Sequence, residues 1–393
     1  MYPPMASFSS LAILASLLVP AVSATVTCRS VTIPVTATSE NLHLINLPAP
    51  TDAQGHADYF LGALLAVPPN NGTTTITGTY SIAATYCKPL LGIFDRKIIQ
   101  VMVYGATYNK EMWSGFGQSP IYNWHAYATA AGYHTLAIDR LGGGDSQRPD
   151  PFQTVQSQLE VEIIHQIIAS LKKPASQGGG IPSARIPSFS NGGKVVYVGH
   201  SLGSTLGNSL SLKYPSDVDA YVLTGFSSTF SPPINFLFDM YPAATLGIPR
   251  LAGLPYGYIT SRTESVRTNT FYAGLYDPNL AHVDYAEHLD TYTIGEGSTG
   301  AAMVTVPGYT GKVFLAVGEL DALFCDGGNG AGTFGYDVCK NILIQTRGDL
   351  YPNVSVAKFG WYVARQTGHS LGLHYTAPLT IVAVLKWLGE QGL

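Results

Sequence analysis

The stretch Lys194-Val195-Val196-Tyr197-Val198-Gly199-His200-Ser201-Leu202-Gly203 constrains this chain more than any other. A short apolar β-type run feeds directly into Gly-x-Ser-x-Gly, and a small-residue stretch able to start a helix follows. The layout predicts a strand, a very tight turn and a helix. So tight a turn requires Gly199 and Gly203 to lack side chains. It holds the Ser201 hydroxyl at the top of a sheet and at a helix N-terminus, where developing negative charge is favoured. A bare Gly-x-Ser-x-Gly match also arises by chance. A base, an acid and an oxyanion hole must therefore come from elsewhere in the chain.

The rest of the composition permits a large core. Of 393 residues, 46% are apolar and only 12% charged. That length allows one large or two ordinary domains. With 42 Gly, 25 Pro and 24 Tyr the chain reads as globular and loop-rich. The formal net charge is −4 and no Lys/Arg run is present. This argues against nucleic acid or an anionic membrane surface as a partner.

Residues 1–24 read as a signal peptide. Phe8 to Val19 is apolar, Pro20 breaks the run, and Val22-Ser23-Ala24 is a small-residue cleavage site. The mature chain is expected to begin at Thr25 and to be secreted. No Lys or Arg precedes the apolar run, a departure from the usual pattern. The run is too short to span a bilayer, which takes about 20 apolar residues. No later segment reads as a spanning helix, so integral membrane association is not expected.

Four cysteines, an even number, fit secretion. Local pairing, Cys28 with Cys87 and Cys325 with Cys339, is the simplest of three possible connectivities. A zinc site is the rival reading, but no Cys-x-x-Cys spacing exists and no His lies close to either pair. No metal and no cofactor are expected. Asn71-Gly72-Thr73 and Asn353-Val354-Ser355 are glycosylation sequons, relevant in a eukaryotic secretory pathway.

Along the chain, strand and helix patterns alternate. Strands are expected near Val26–Val35, Leu42–Leu47, Thr75–Tyr86, Ile98–Tyr104 and Tyr133–Ile138. Helices are expected near Trp124–Ala131 and Thr154–Leu171, the second with apolar residues at helical spacing. A Pro/Gly/Ser-rich loop, Lys173 to Gly193, precedes the strand that leads to Ser201. Helix Ser204–Tyr214 and strand Ala220–Thr224 follow. After a long interval come strand Lys312–Val317, helix Lys340–Leu350, strand Val354–Val363 and helix Ala377–Leu388. Apolar strands alternating with helices imply an α/β fold with a mostly parallel sheet covered on both faces.

Five motifs in fixed order now point to a family. They are Tyr104-Gly105-Ala106-Thr107-Tyr108-Asn109, Ala137-Ile138-Asp139-Arg140-Leu141-Gly142, Gly199-His200-Ser201-Leu202-Gly203, Gly318-Glu319-Leu320-Asp321 and Gly368-His369-Ser370. On these residues the chain resembles the α/β-hydrolases, in particular secreted fungal serine hydrolases with an N-terminal disulfide segment. The resemblance runs from about Ile98 to the C-terminus. It departs at Tyr104, where most relatives carry His before the Gly; this bears on local loop hydrogen bonding. The implied organisation is a core of residues 25–225 and 310–393 with a cap at 226–309.

The resemblance also implies the order serine, acid, histidine for the catalytic residues. His369 follows a strand, sits in a Gly-flanked turn and precedes the last helix, so it is the expected base, with His374 the alternative. His200 adjoins Ser201, but a neighbour on a sharp turn points away and reads as a packing residue. Asp321 stands where the family places its acid; Glu319 and Asp326 are rivals. The other site some relatives use reads Gly225-Phe226-Ser227-Ser228 and has no carboxylate. Backbone N–H groups of Leu202 and Ala106 are expected to form the oxyanion hole. Thr107 reads either as a further hydroxyl donor there or as a loop cap, and Asp139 and Asp145 as turn residues. The interval from Phe226 to Tyr309 is aromatic-rich, which reads partly as a pocket roof and partly as the cap's own core.

The implied activity is serine hydrolysis of an ester, lactone or amide of a small, largely apolar substrate molecule. Two other classes stay open. One is a cyclase or acyl transferase that uses the same residues. The other is a non-catalytic binding protein on the same scaffold. Serine at position 201 argues against epoxide hydrolase or dehalogenase chemistry, which uses Asp there in similar proteins.

Overall fold

A long antiparallel hairpin opens the fold. Strand β1 (Thr27–Leu44) pairs with β2 (Asn70–Lys88), and Cys28 sits directly opposite Cys87, to which it is disulfide-bonded. The structure, a computed structural model, describes residues 26–45, 70–89, 95–300, 303–325 and 334–393, together with Gly55, Asp58 and Gly62. The expected signal peptide at 1–24, Thr25 and Asp326 lie outside the described residues.

Burial along β1 has period two. Ile33, Val35, Ala37, Ser39 and Asn41 are buried, and the residues between them are exposed. This is the signature of a strand with one covered face. The covering element is helix α2, described below. The outward face carries paired threonines, Thr36 with Thr79 and Thr38 with Thr77, whose hydroxyls lie 2.8 and 2.9 Å apart.

The other strands are short and buried on both faces. They are β3 (Ile98–Val103), β4 (His134–Ile138), β5 (Lys194–His200) and β6 (Ala220–Thr224). Between them run α1 (Trp124–Ala130), α2 (Ser157–Lys172) and α3 (Leu202–Lys213). An insertion follows β6. It holds α4 (Ile234–Asp239), β7 (Met240–Pro242), β8 (Tyr258–Ser261), α5 (Glu264–Phe271), α6 (Pro278–Ala286), β9 (Tyr292–Thr293) and α7 (Ile294–Gly300). Strand β10 (Lys312–Gly318), α8 (Tyr336–Leu350), β11 (Phe359–Ala364) and α9 (Ala377–Glu390) complete the chain.

The sheet order is β1-β2-β4-β3-β5-β6-β10-β11. From β4 to β11 every neighbouring pair is parallel, and β2 joins β4 antiparallel. Continuous apolar strands with no exposed residue need cover on both faces, which the helices supply. In the insertion, β7, β8 and β9 form a separate small antiparallel sheet. Buried ion pairs fasten the insertion to the body. Arg140, after β4, contacts Glu160 of α2 at 3.1 Å and also Glu296 of α7.

Three strand boundaries differ from the sequence reading; β2 begins at Asn70 rather than near Thr75, because its pairing with β1 continues past Thr75. Val26–Val35 and the start of Leu42–Leu47 belong to one strand, because pairing with β2 runs unbroken from Thr27 to Leu42; Leu47 lies outside the described residues. The last strand begins at Phe359, not Val354, because Val354 and Lys358 close turns onto Tyr351 and Ser355.

Candidate active site

Ser201 joins β5 to α3 at φ 55°, ψ −119°. A non-glycine residue there stores strain on the order of 1–3 kcal/mol, tolerated only where the surroundings impose it. The surroundings do so through backbone hydrogen bonds. The Ser201 N–H donates to Thr224 O at 2.9 Å, and its carbonyl accepts from Ser204 N and Thr205 N at 2.8 and 3.0 Å. The need for glycine on either side is steric. A Cβ on Gly203 would lie 2.1 Å from Val103 O, and one on Gly199 would lie 2.7 Å from the Ser204 backbone.

His369 and Asp321 meet from loops 48 residues apart in sequence. Asp321 follows β10. Its Oδ1 accepts the N–H groups of Leu323 and Phe324 at 2.9 and 3.1 Å, which fixes the carboxylate. Its Oδ2 lies 2.9 Å from His369 Nδ1, and both side chains are buried. An ionised carboxylate only accepts, so Nδ1 carries the proton and Nε2 keeps a lone pair. The His369 ring is packed by Phe271 and Phe324, with centroids 5.5 and 5.8 Å away. Gly225, next to Thr224, leaves room for it, since a Cβ there would stand 2.8 Å from His369 Cε1.

The rival residues are engaged elsewhere. Gly368 N–H donates to His374 Nε2 at 3.0 Å, so the Nδ1–H of His374 donates to Ser370 O at 2.8 Å. His374 thus clamps the backbone on both sides of His369. Burial pushes it down to about 4, so it is neutral at pH 7. Glu319 accepts from Arg365 Nη1 at 3.0 Å and from Gln366 N at 2.9 Å, bracing the end of β11. His200 points to the Thr224 hydroxyl at 3.1 Å, and burial, then the neighbouring His369, push it well below the usual imidazole range.

An apolar cavity of about 70 Å³ opens over Ser201, several times the space one buried water takes. The body contributes Ala106, Leu202, Thr205, Leu323 and Phe324 to its wall. The insertion contributes Phe230, Phe236, Leu237, Met240, Phe271 and Tyr292. Leu202 is the first residue of α3, where a backbone N–H has no partner within the helix. Ala106 and Leu202 both line the same cavity as Ser201.

A family model for the alpha/beta hydrolase family matches residues 101–383. The chain belongs to the alpha/beta hydrolase family. All five motifs fall within that span. A soluble variant of monoglyceride lipase from Saccharomyces cerevisiae, in complex with a substrate analogue, is similar in structure at a TM-score of 0.50 and 13% identity. The match covers 79% of this chain and 91% of that one. A thermophilic esterase from Thermogutta terrifontis is similar at a TM-score of 0.46 and 14% identity, over 80% of this chain and 94% of that one. Likeness at these identities concerns the fold. Comparison with curated proteins found no match.

Other singled-out residues of this alpha/beta hydrolase have structural surroundings. Lys110 Nζ bridges Asp139 and Asp145, each at 2.6 Å, and the Lys110 and Asp145 N–H groups also bond Asp139. Burial outweighs Lys110 and pushes Asp139 up to about 6. Tyr104, at the position where relatives carry His, accepts the Arg140 N–H at 2.9 Å and so ties the ends of β3 and β4. Thr107 turns its hydroxyl to Arg267 of the insertion. Asn71 and Asn353 are exposed. Sequence reading did not single out Leu323, Phe324, Met240 or Arg267. The apolar run Ala322-Leu323-Phe324 directly after Asp321 was a usable signal for the first pair; a lone arginine 160 residues from Thr107 offered none.

Proposed function

We propose that this chain is a secreted serine hydrolase that cleaves an ester, lactone or amide of a small, largely apolar substrate through an acyl-enzyme on Ser201. The observation that carries the reading is the buried His369–Asp321 pair, set against the wall of the apolar cavity that Ser201 lines. In this reading Asp321 holds the Nδ1–H of His369, and Nε2 takes the Ser201 proton as Oγ attacks the carbonyl carbon. The tetrahedral oxyanion accepts hydrogen bonds from the N–H groups of Leu202 and Ala106. One such donor is worth about 10²–10³ in kcat. The imidazolium, stabilised by the carboxylate, protonates the leaving group. Water then attacks the acyl-enzyme with His369 as base, and Ser201 is released.

The insertion, residues 226–309, serves as a cap in this reading. Its phenylalanines exclude water, which strengthens the electrostatic contacts below them. The N-terminal signal pattern and the two disulfides support secretion, and the exposed Asn71 and Asn353 are the proposed glycosylation sites. A fluorophosphonate probe should label secreted wild-type protein on the peptide containing Ser201. Ser201→Ala should fold, escape labelling and lose turnover by on the order of 10³-fold or more. Labelling at another residue, or an active Ser201→Ala, would sink the proposal. Product analysis across an ester library separates hydrolysis from cyclisation or transfer.

A further inference from the structure

Ala106 is followed by a residue in an unfavourable conformation. Thr107 is β-branched and fully buried, yet has φ 63°. A β-branched residue in that region is an outlier that its surroundings must hold in place. The holder is Arg267, in the α5 helix of the insertion. Its Nη1 donates to Thr107 Oγ1 at 2.6 Å, and Nη2 lies 3.5 Å from Thr107 O, which also accepts the Asp290 N–H at 3.0 Å.

Arg267 is itself fixed. Asp284 accepts from its Nε and Nη2 at 3.0 and 2.9 Å, and the Tyr272 hydroxyl donates to the same carboxylate at 2.8 Å. The guanidinium lies over the rings of Tyr108 and Phe271, at 4.4 and 4.9 Å from their centroids. Tyr108 bonds the Ser370 hydroxyl at 2.6 Å, beside His369, and Phe271 packs on the His369 ring. One buried cation therefore touches the loop carrying Ala106 and two aromatic residues that abut the histidine loop.

We propose that Arg267 is a positioning residue for the oxyanion hole: it clamps Thr107 in its strained conformation and so aims the Ala106 N–H at the reacting carbonyl. The cap is then part of the catalytic apparatus as well as a roof. The inference rests on the proposed role of Ser201 and Ala106. Its consequence is selective. An N–H aimed at the oxyanion matters when negative charge develops and little when substrate docks.

The test compares Arg267→Lys, Thr107→Val and Thr107→Ser. Valine keeps the β-branched shape, removes the acceptor and leaves the Arg267–Asp284 pair intact, so it remains informative if Arg267→Lys does not fold. Steady-state kinetics are read together with the affinity for an alkyl boronic acid, whose adduct with Ser201 places an anionic oxygen in the oxyanion position. Arg267→Lys should lower kcat by about 10²-fold and Thr107→Val by about tenfold, with KM changed by less than about threefold. Boronate affinity should fall in parallel, and Thr107→Ser should recover most of the loss. Folded variants with wild-type kcat and boronate affinity, or with only a raised KM, would overturn the inference. If wild-type enzyme neither reacts with a fluorophosphonate nor binds the boronate, the reading of Ser201 fails, and this inference with it.

Discussion

His369 and His374 share one short loop, and the partners of their nitrogens separate their roles. His369 has a carboxylate on Nδ1 and, among the described residues, no hydrogen-bond partner on Nε2, whereas both nitrogens of His374 are bonded to backbone. His369→Ala should therefore match Ser201→Ala in lost turnover. His374→Ala takes the partner from the buried Gly368 N–H, at a cost of about 1–3 kcal/mol, whereas Ser370 O keeps the Leu373 N–H at 2.8 Å. The variant should melt at lower temperature while losing about tenfold or less in kcat. Asp321→Asn is the sharper variant. Its oxygen still accepts from Leu323 and Phe324, which puts its NH2 group against His369 Nδ1. That donor forces the proton onto Nε2, so kcat should fall by on the order of 10³-fold or more. Kinetics and thermal melts of the three variants check these outcomes; an active His369→Ala beside an inactive His374→Ala would reverse the assignment. The proposed catalytic residues Ser201, Asp321 and His369 could be nominated from the sequence because each lies in a short motif with a distinctive turn. The clamp by His374 was not, since it depends on which way two loop peptides face.

Among the elements, the loop from β10 to α8 carries the most consequence. Cys325 N donates to Asp321 O at 3.1 Å, and the Cys325–Cys339 bridge ties this turn to the first turn of α8. Cys339 Sγ also rests 3.5 Å from Glu319 O. The closed loop is short, and the chain-entropy model gives about 3 kcal/mol for it. Its place beside the proposed acid adds a kinetic role, because small displacements of a hydrogen-bonded carboxylate are costly to catalysis. Cys325→Ser with Cys339→Ser should lower both stability and kcat. Cys28→Ser with Cys87→Ser should lower stability by about 4 kcal/mol in the same model and leave kcat nearly intact. That bridge closes the outer hairpin, two strands removed from β3 and the loop carrying Ala106. Non-reducing peptide maps, melts and kinetics decide this; equal kinetic loss in both double variants would refute the distinction. Most elements could be read from the sequence, since buried runs such as Ile98–Val103 and Ala220–Thr224 are unmistakably apolar. The fusion into one long β1 could not, because its period-two pattern passes through polar Ser39 and Asn41, buried against α2 and its preceding loop.

At the scale of the whole molecule, burial of neutral histidines makes stability depend on pH. His125 of α1 bonds the Thr135 hydroxyl at 2.7 Å, and burial pushes it down to about 4. The ordinary imidazole value is about 6.5. A histidine depressed in the folded state contributes stability that is complete above its unfolded value and is lost as pH falls toward its folded one. Between pH 7.5 and 4.5 that loss is on the order of 2–3 kcal/mol for one such histidine. Asp139 opposes the trend. Raised to about 6, it contributes stability that is complete below the ordinary carboxyl range and is lost as pH rises through 6. The wild-type profile therefore blends both signs, and a variant is needed to isolate one. Glutamine fills much of the imidazole volume, can still bond Thr135, and does not titrate. The stability gap between wild type and His125→Gln, measured by urea unfolding, should shrink by about 2–3 kcal/mol from pH 7.5 to 4.5. His125 lies on α1, outside the Ser201 cavity and the loops that carry Asp321 and His369, so kcat at neutral pH should change little. A gap that stays constant across this range would mean that His125 takes up its proton at the same pH in the folded and unfolded protein, as a solvent-exposed imidazole does.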